Sequence, residues 1–318
     1  MTEVKRTNKF FRLLELFLLA IFHFTRLLSC ILPASLLYAM FNSMGYALFY
    51  SRPGMRQRLL DVISEALPEI ADQRQMAQIG RQTCGAPFLP MLDLIILKKY
   101  GKRVMSGLSI EGMENLKKAD AQGKGVIVIT SHLGAFSIGA SVMARLGKPI
   151  TPIGFHPDTT TIPRYSWTLM LYAQSLGCDQ ENPIIFVGQD TIERVREHLR
   201  KGRRVGIAYD VMGNFVVDFL GRPTALASGV AYFACDIGSP VIPICLLRGR
   251  KPLEFRLIIG EPLCYRPSDD RSSKVNTITC EVAKAGEDLI REAPGQWMSW
   301  FGLSEWRDKA RELEEQKA

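Results

Sequence analysis

The feature that most constrains this chain is a series of short β-prone runs, starting just after Gly101, that alternate with segments long enough to be helices. SGLSIEG, GVIVIT, ITPIGF, PIIFV, RRVGIAYD, FVVDFL, VIPICLL and EFRLIIG are rich in residues that fit a pleated surface. Gln189 to Arg200 and Leu226 to Asp236 are among the helix-length spacers. Such alternation predicts an α/β fold with a mostly parallel central sheet flanked by helices. GVIVIT and VIPICLL are apolar at successive positions, as strands covered on both faces are. Before Gly101 the spacing of apolar residues is helical, through LLDVISEALPEI and FLPMLDLIILKKY. The closing RDKARELEEQKA is predicted to be a charged surface helix.

The first 58 residues have a different character. From Leu27 to Tyr50, 24 residues carry no acidic, basic or histidine side chain, and a second apolar run, Leu16 to Phe22, precedes them. At about 1.5 Å per residue, a helix of that length matches the roughly 30 Å hydrocarbon core of a bilayer. Pro33, Asn42, Ser43 and Gly45 weaken it as a straight span. Basic residues flank both ends, which suits a segment lying in or dipping into an anionic leaflet. A cleaved signal peptide fits poorly, because Glu15, His23 and Arg26 interrupt the apolar run. The expected organisation is a hydrophobic membrane-anchoring helical segment, 1–58, followed by one α/β domain, 59–318.

Charge distribution decides the class of partner. The chain has 40 Lys and Arg against 32 Asp and Glu, a net charge of +8. Through Arg58 there are eight basic and two acidic residues, so +6 lies around the apolar segment and +2 is left for the rest. A nearly neutral body removes the main argument for nucleic acid as a partner and points to anionic lipid headgroups. Seven scattered cysteines with no CxxC pair, and only four histidines, predict neither a disulfide framework nor a zinc site. GxGxxG and Walker A patterns are absent, so dinucleotide and P-loop readings have no support.

His132 is the best-placed reactive group. It follows GVIVIT at once, and open α/β sheets gather functional groups at the carboxyl ends of their strands. His23 lies in the apolar N-terminal run, His156 in the loop FHPDTT and His198 in a charged helical stretch. Ala135 to Gly139 is one residue from a G-x-S-x-G nucleophile elbow, yet Ser137 comes seven residues after Thr130, too far beyond the strand for that role.

The run Ser131-His132-Leu133-Gly134-Ala135-Phe136-Ser137 resembles the H-x-G-N-W-E signature of the lipid A biosynthesis (late) acyltransferases, within the lysophospholipid acyltransferase superfamily. Further blocks follow in the family's order: Arg203 to Asp210, similar to a strand ending in Asp-Gln; Phe219 to Ala225, similar to Phe-Phe-Gly-x-Pro-Ala; Ser239 to Pro243; and Pro294 to Trp300, similar to Pro-x-Gln-Trp-x-Trp. The resemblance spans nearly the whole chain. It implies acyl transfer at the cytoplasmic face of a bacterial inner membrane, from an acyl carrier protein thioester to a hydroxyl of a glycolipid. In that reading His132 is the general base, Gly134, Gly221 and Arg222 bind substrate, and neither metal nor organic cofactor is required.

The sequence departs from the family at the carboxylate that fixes the histidine. An acid is expected five residues after it, where this chain has Ser137. Ser137 could orient the ring but not offset its charge; Asp210, at the end of an expected neighbouring strand, is the other candidate. The altered position also leaves open a non-catalytic lipid-binding or scaffold protein of the same fold, or a transferase of a non-fatty group such as an aminoacyl group.

Overall fold

The structure, a computed structural model, describes residues 9–177, 183–265 and 270–316. Glu3, Lys5, Arg6 and Cys178, among the charged residues and cysteines counted above, lie outside them. The described chain opens with five helices: α1 (Lys9–Ile31), α2 (Ala34–Ser51), α3 (Pro53–Ala66), α4 (Gln73–Gly85) and α5 (Leu89–Ser106). Strands and helices then alternate: β1 (Leu108–Glu111), α6 (Met113–Asp120), β2 (Val126–Thr130), α7 (Phe136–Arg145), β3 (Thr151–Gly154), α8 (Pro163–Gln174), β4 (Ile185–Phe186), α9 (Thr191–Arg200) and β5 (Arg204–Ala208). A hairpin, β6 (Met212–Phe219) and β7 (Arg222–Leu226), interrupts the pattern. After it come α10 (Gly229–Ile237), β8 (Val241–Arg248), β9 (Phe255–Ile259), α11 (Arg271–Glu292) and α12 (Leu303–Glu315).

Seven strands form one sheet in the order β1-β9-β8-β2-β5-β3-β4. Every neighbouring pair is parallel except β8 with β9, so β1 and β9 run against the other five. The alternation of side chains along a strand divides the interior into two layers. Ile127 and Ile129 of β2 join Val205, Val241 and residues of α9, α10 and α11 in one core cluster. Val126 and Val128 join Ile242, Leu246 and residues of α5, α6 and α7 in the other. The two-sided apolar runs are therefore central strands with helices on each face, as their composition predicts.

The uncharged run from Leu27 to Tyr50 does not form one helix. It is divided at Leu32 and Pro33, because the proline ring cannot continue α1 but is tolerated at the start of α2. Of the described helices, α1 alone is long and apolar enough to cross a membrane by length and composition. It packs on the body along one side. Glu15 accepts a hydrogen bond from the Arg164 backbone N–H at 2.5 Å, the rings of Phe22 and Tyr172 meet edge to face at 5.4 Å, and Lys99 Nζ donates to the Ser29 carbonyl. Phe10, Leu13, Phe17, Phe24, Leu27 and Ile31, three, four or seven residues apart, form an exposed apolar stripe on the other side. Helix α2 is more deeply held, with Leu37, Tyr38 and Phe41 in the same core layer as α5.

Candidate active site

Strand register creates the central pairing. In the parallel ladder between β2 and β5, Thr130 lies opposite Ala208. Two residues beyond each strand end stand His132 and Asp210. His132 Nδ1 is 3.1 Å from Asp210 Oδ1, and the His132 backbone N–H donates to Asp210 Oδ2 at 2.9 Å. The carboxylate is fully buried, while the imidazole is 37% exposed and open to a ligand. A buried carboxylate needs several donors to offset lost hydration. Two more come from the C-terminal segment: Trp297 Nε1 donates to Oδ2 at 2.9 Å and Ser299 Oγ at 3.1 Å.

This environment sets the basicity of the ring. Burial pulls the imidazole pKa down, but the hydrogen bond and negative charge of Asp210 outweigh it, leaving His132 above the ordinary value of 6.5. With Nδ1 facing the carboxylate, the ring is held by one nitrogen and leaves Nε2 for a reacting proton.

Ser137 stands elsewhere. As the second residue of α7, its Oγ donates to the Pro90 carbonyl at 3.1 Å and ties that helix to the start of α5. Of the two residues proposed from sequence to fix the histidine, the structure brings Asp210 to it and turns Ser137 toward α5. Gly134 is needed by the backbone. It has φ of +62°, and a Cβ there would collide with the Leu246 carbonyl oxygen. Its N–H donates to the Gln296 carbonyl at 3.2 Å and that of Ala135 to Leu246 at 2.7 Å, so both are engaged within the fold.

Gly221 and Arg222 lie on the β6–β7 hairpin. Leu220 and Gly221 both have positive φ, the conformation of a two-residue hairpin turn. Arg222 is 57% exposed and pairs with Glu65 of α3, a carboxylate that Arg307 also contacts. Neither residue lines the cavity that opens at His132.

That cavity, of about 230 Å³, lies between α7 and the sheet. His132, Thr130 and Ser131 supply its polar end; Val128, Met143 and Ile150 are among the apolar side chains behind them. Gly139 of α7 also borders it, and a Cβ added there would meet nothing within 4 Å. Cys245 borders it too, but burial pushes its thiol up to about 12, which leaves it protonated and unsuited as a nucleophile. Among the described residues no group of three or more His, Cys, Asp or Glu could hold a metal ion.

Three of the blocks quoted from the sequence, those around His132, Asp210 and Trp297, meet at this site. Residues 126–132, 204–210 and 296–299 meet at one end of the sheet, with Leu133 bridged to Trp297 and the Met298 N–H donating to the His132 carbonyl at 3.1 Å. The sequence model of the bacterial lipid A biosynthesis acyltransferases matches residues 4–307. The chain belongs to this family. It is 24% identical over 201 residues to the lipid A biosynthesis palmitoleoyltransferase of Escherichia coli (strain K12) and, equally, to a lipid A biosynthesis acyltransferase of Shigella flexneri. Each match covers 62% of this chain and 61% of the relative.

Trp297 and Ser299 are not among the site residues that the sequence singles out. Trp297 does pack, fully buried against Trp300 and Phe219, but its indole N–H is spent on Asp210. The available signal was its place in the terminal Pro-x-Gln-Trp-x-Trp block, far in sequence from His132 but matched in the same family order.

Proposed function

We propose that this protein is a membrane-attached acyltransferase that moves an acyl group from a carrier-protein thioester to a hydroxyl of a lipid A-like glycolipid. The observation that carries the reading is the His132–Asp210 pair at the mouth of an apolar cavity. A hydroxyl is a weak nucleophile at neutral pH, so a base must take its proton as it attacks. His132 Nε2 removes that proton while the oxygen bonds to the thioester carbonyl carbon. The resulting imidazolium is supported by Asp210. When the tetrahedral intermediate collapses, the carbon–sulfur bond breaks and His132 returns the proton to the leaving sulfur, which departs as the carrier's thiol.

The cavity suits the chain of the acyl group: its apolar wall removes hydrocarbon from water, at roughly 25 cal/mol per Å² of area buried, and its polar end sits beside the base. The exposed stripe of α1 suits attachment lying in the plane of a leaflet, because its opposite side is packed on α5 and α8. On this reading residues 1–58 are the attaching segment and 59–318 the transferring domain, at the cytoplasmic face of an inner membrane, where carrier thioesters and a lipid acceptor meet. Gly221 and Arg222 are then assigned to the hairpin's own stability, and Gly134 to placing His132.

Mass spectrometry of the lipid A and phospholipid fractions tests the reading, using cells that carry the wild-type gene, a deletion or His132→Ala. A lipid lost on deletion and restored by wild type but not by His132→Ala supports acyl transfer. Full restoration by His132→Ala would favour a scaffold of the same fold, the reading that the serine at position 137 keeps open.

A further inference from the structure

A second cavity, of about 330 Å³, lies between α2 and the turn joining β8 to β9. Its chemistry is opposite to that of the cavity at His132. Arg248, Arg250 and Lys251 line it, with Glu254 as the acidic counterpart. Arg248 is fixed by the buried Asp93, which receives its Nε at 3.1 Å and also accepts a hydrogen bond from Tyr38 at 2.8 Å. Lys251 and Glu254 are 3.6 Å apart on the turn. Arg250 has no ion-pair partner among the described residues. A fourth cation, Arg81, stands over the ring of Tyr46, itself part of the wall.

The neighbourhood of this cavity specifies what kind of anion it faces. Ser35, Ala39, Asn42 and Tyr46 form the α2 stripe that lines it. Turned from that stripe by about a quarter to half of the helix circumference, Leu36, Met40 and Met44 are exposed to the surroundings. Leu27 and Ile31 of α1, just before the Pro33 break, are exposed as well. A cation-lined hollow beside an uncovered apolar surface matches a molecule with a phosphate at one end and hydrocarbon at the other.

We infer that the cavity between α2 and the β8–β9 turn binds the phosphate group of an anionic lipid, with Arg250 and Lys251 as its principal contacts and Arg248 as a fixed wall. The site is tied to His132 through one residue: Gln296 receives the Arg248 N–H at 2.9 Å on its side chain and the Gly134 N–H at 3.2 Å on its backbone carbonyl. Binding here does not require proton transfer by His132, so the inference stands or falls apart from the catalytic reading.

The test uses the full chain in detergent, titrated with lysophosphatidic acid, with a monoacylglycerol of the same chain and with inorganic phosphate, read by native mass spectrometry and amide hydrogen exchange. Lysophosphatidic acid is expected to bind one-to-one to wild type and to His132→Ala, slowing exchange in residues 35–46 and 248–255. The double variant Arg250→Gln, Lys251→Gln, on an exposed turn, is expected to keep the wild-type melting temperature and bind at least about tenfold more weakly. Equal binding by that variant, equal binding of monoacylglycerol, or protection confined to the cavity at His132 would each overturn the inference. Inorganic phosphate binding as tightly as lysophosphatidic acid would overturn the lipid source and assign the site to a soluble anion.

Discussion

The cavity at His132, to which Gln296 is linked through the Gly134 N–H, and the cavity beside α2, which Gln296 lines, are built from contrasting materials. The first is apolar apart from the end that carries His132, Thr130 and Ser131. The second is edged by three cations and one acid. Their difference comes from position in the sheet. The first is walled by β2, β3 and β5 with α7, where strands covered on both faces have apolar side chains. The second is closed by the tip of the β8–β9 connection, where the chain leaves the core and charged side chains can remain hydrated at one end. One region is suited to a hydrocarbon tail next to a base, the other to an anionic head.

This contrast can be broken by changing one region at a time. The largest effect is expected from His132→Ala, which should lower transfer from carrier thioesters to a lipid A precursor by about 10³-fold in purified protein. The fold should hold, since the imidazole is partly exposed. Gly139→Leu should put a side chain into the space in front of α7. Across a series of thioesters of increasing chain length, the longest should lose about tenfold or more in kcat/KM while the shortest change little. A uniform loss for all lengths would place the acyl chain elsewhere. The smallest effect is expected from Arg222→Gln. Its exposed pairing with Glu65 contributes about 0–1 kcal/mol to stability, and turnover should stay within about twofold of wild type. A large rise in KM for the acceptor would return Arg222 to substrate binding.

Much of the architecture was legible in the sequence because it is written in periodicity. The two-sided apolar runs marked β2 and β8, and the charged tail marked α12. The membrane-scale run was harder to read. Its length suggested one element, but Pro33 divides it and tertiary packing draws Leu37, Tyr38 and Phe41 of the second half into the core. β7 was not anticipated, since Pro223 lacks an N–H and argues against a strand, a cost that the open side of a two-stranded hairpin reduces.

The site was legible in part for a similar reason. His132 announced itself by following a strand. Its partner could not be chosen on sequence alone, because the choice depends on which strand lies beside β2 and in what register. Once β5 pairs with β2 so that Thr130 faces Ala208, Asp210 falls opposite His132. Ser137, only five residues away in the chain, is carried round by the left-handed turn at Gly134 into α7 and toward Pro90. Sequence proximity and spatial proximity part company there.

The central claim, that Asp210 rather than Ser137 fixes the base, is tested most directly by the pH dependence of kcat/KM for wild type, Asp210→Asn and Ser137→Ala. Only neutral imidazole can accept a proton, so the wild-type rate should rise with pH through a midpoint above 6.5, the direction in which Asp210 moves His132. Asp210→Asn removes that influence and leaves burial, which pulls the other way. Its rate should fall by about 10²- to 10⁴-fold and its midpoint should move to lower pH. Ser137→Ala should keep the wild-type midpoint and stay within about threefold of the wild-type rate, having lost only one hydrogen bond to Pro90. A greater loss in Ser137→Ala than in Asp210→Asn, or a midpoint that Asp210→Asn leaves in place, would contradict the assignment.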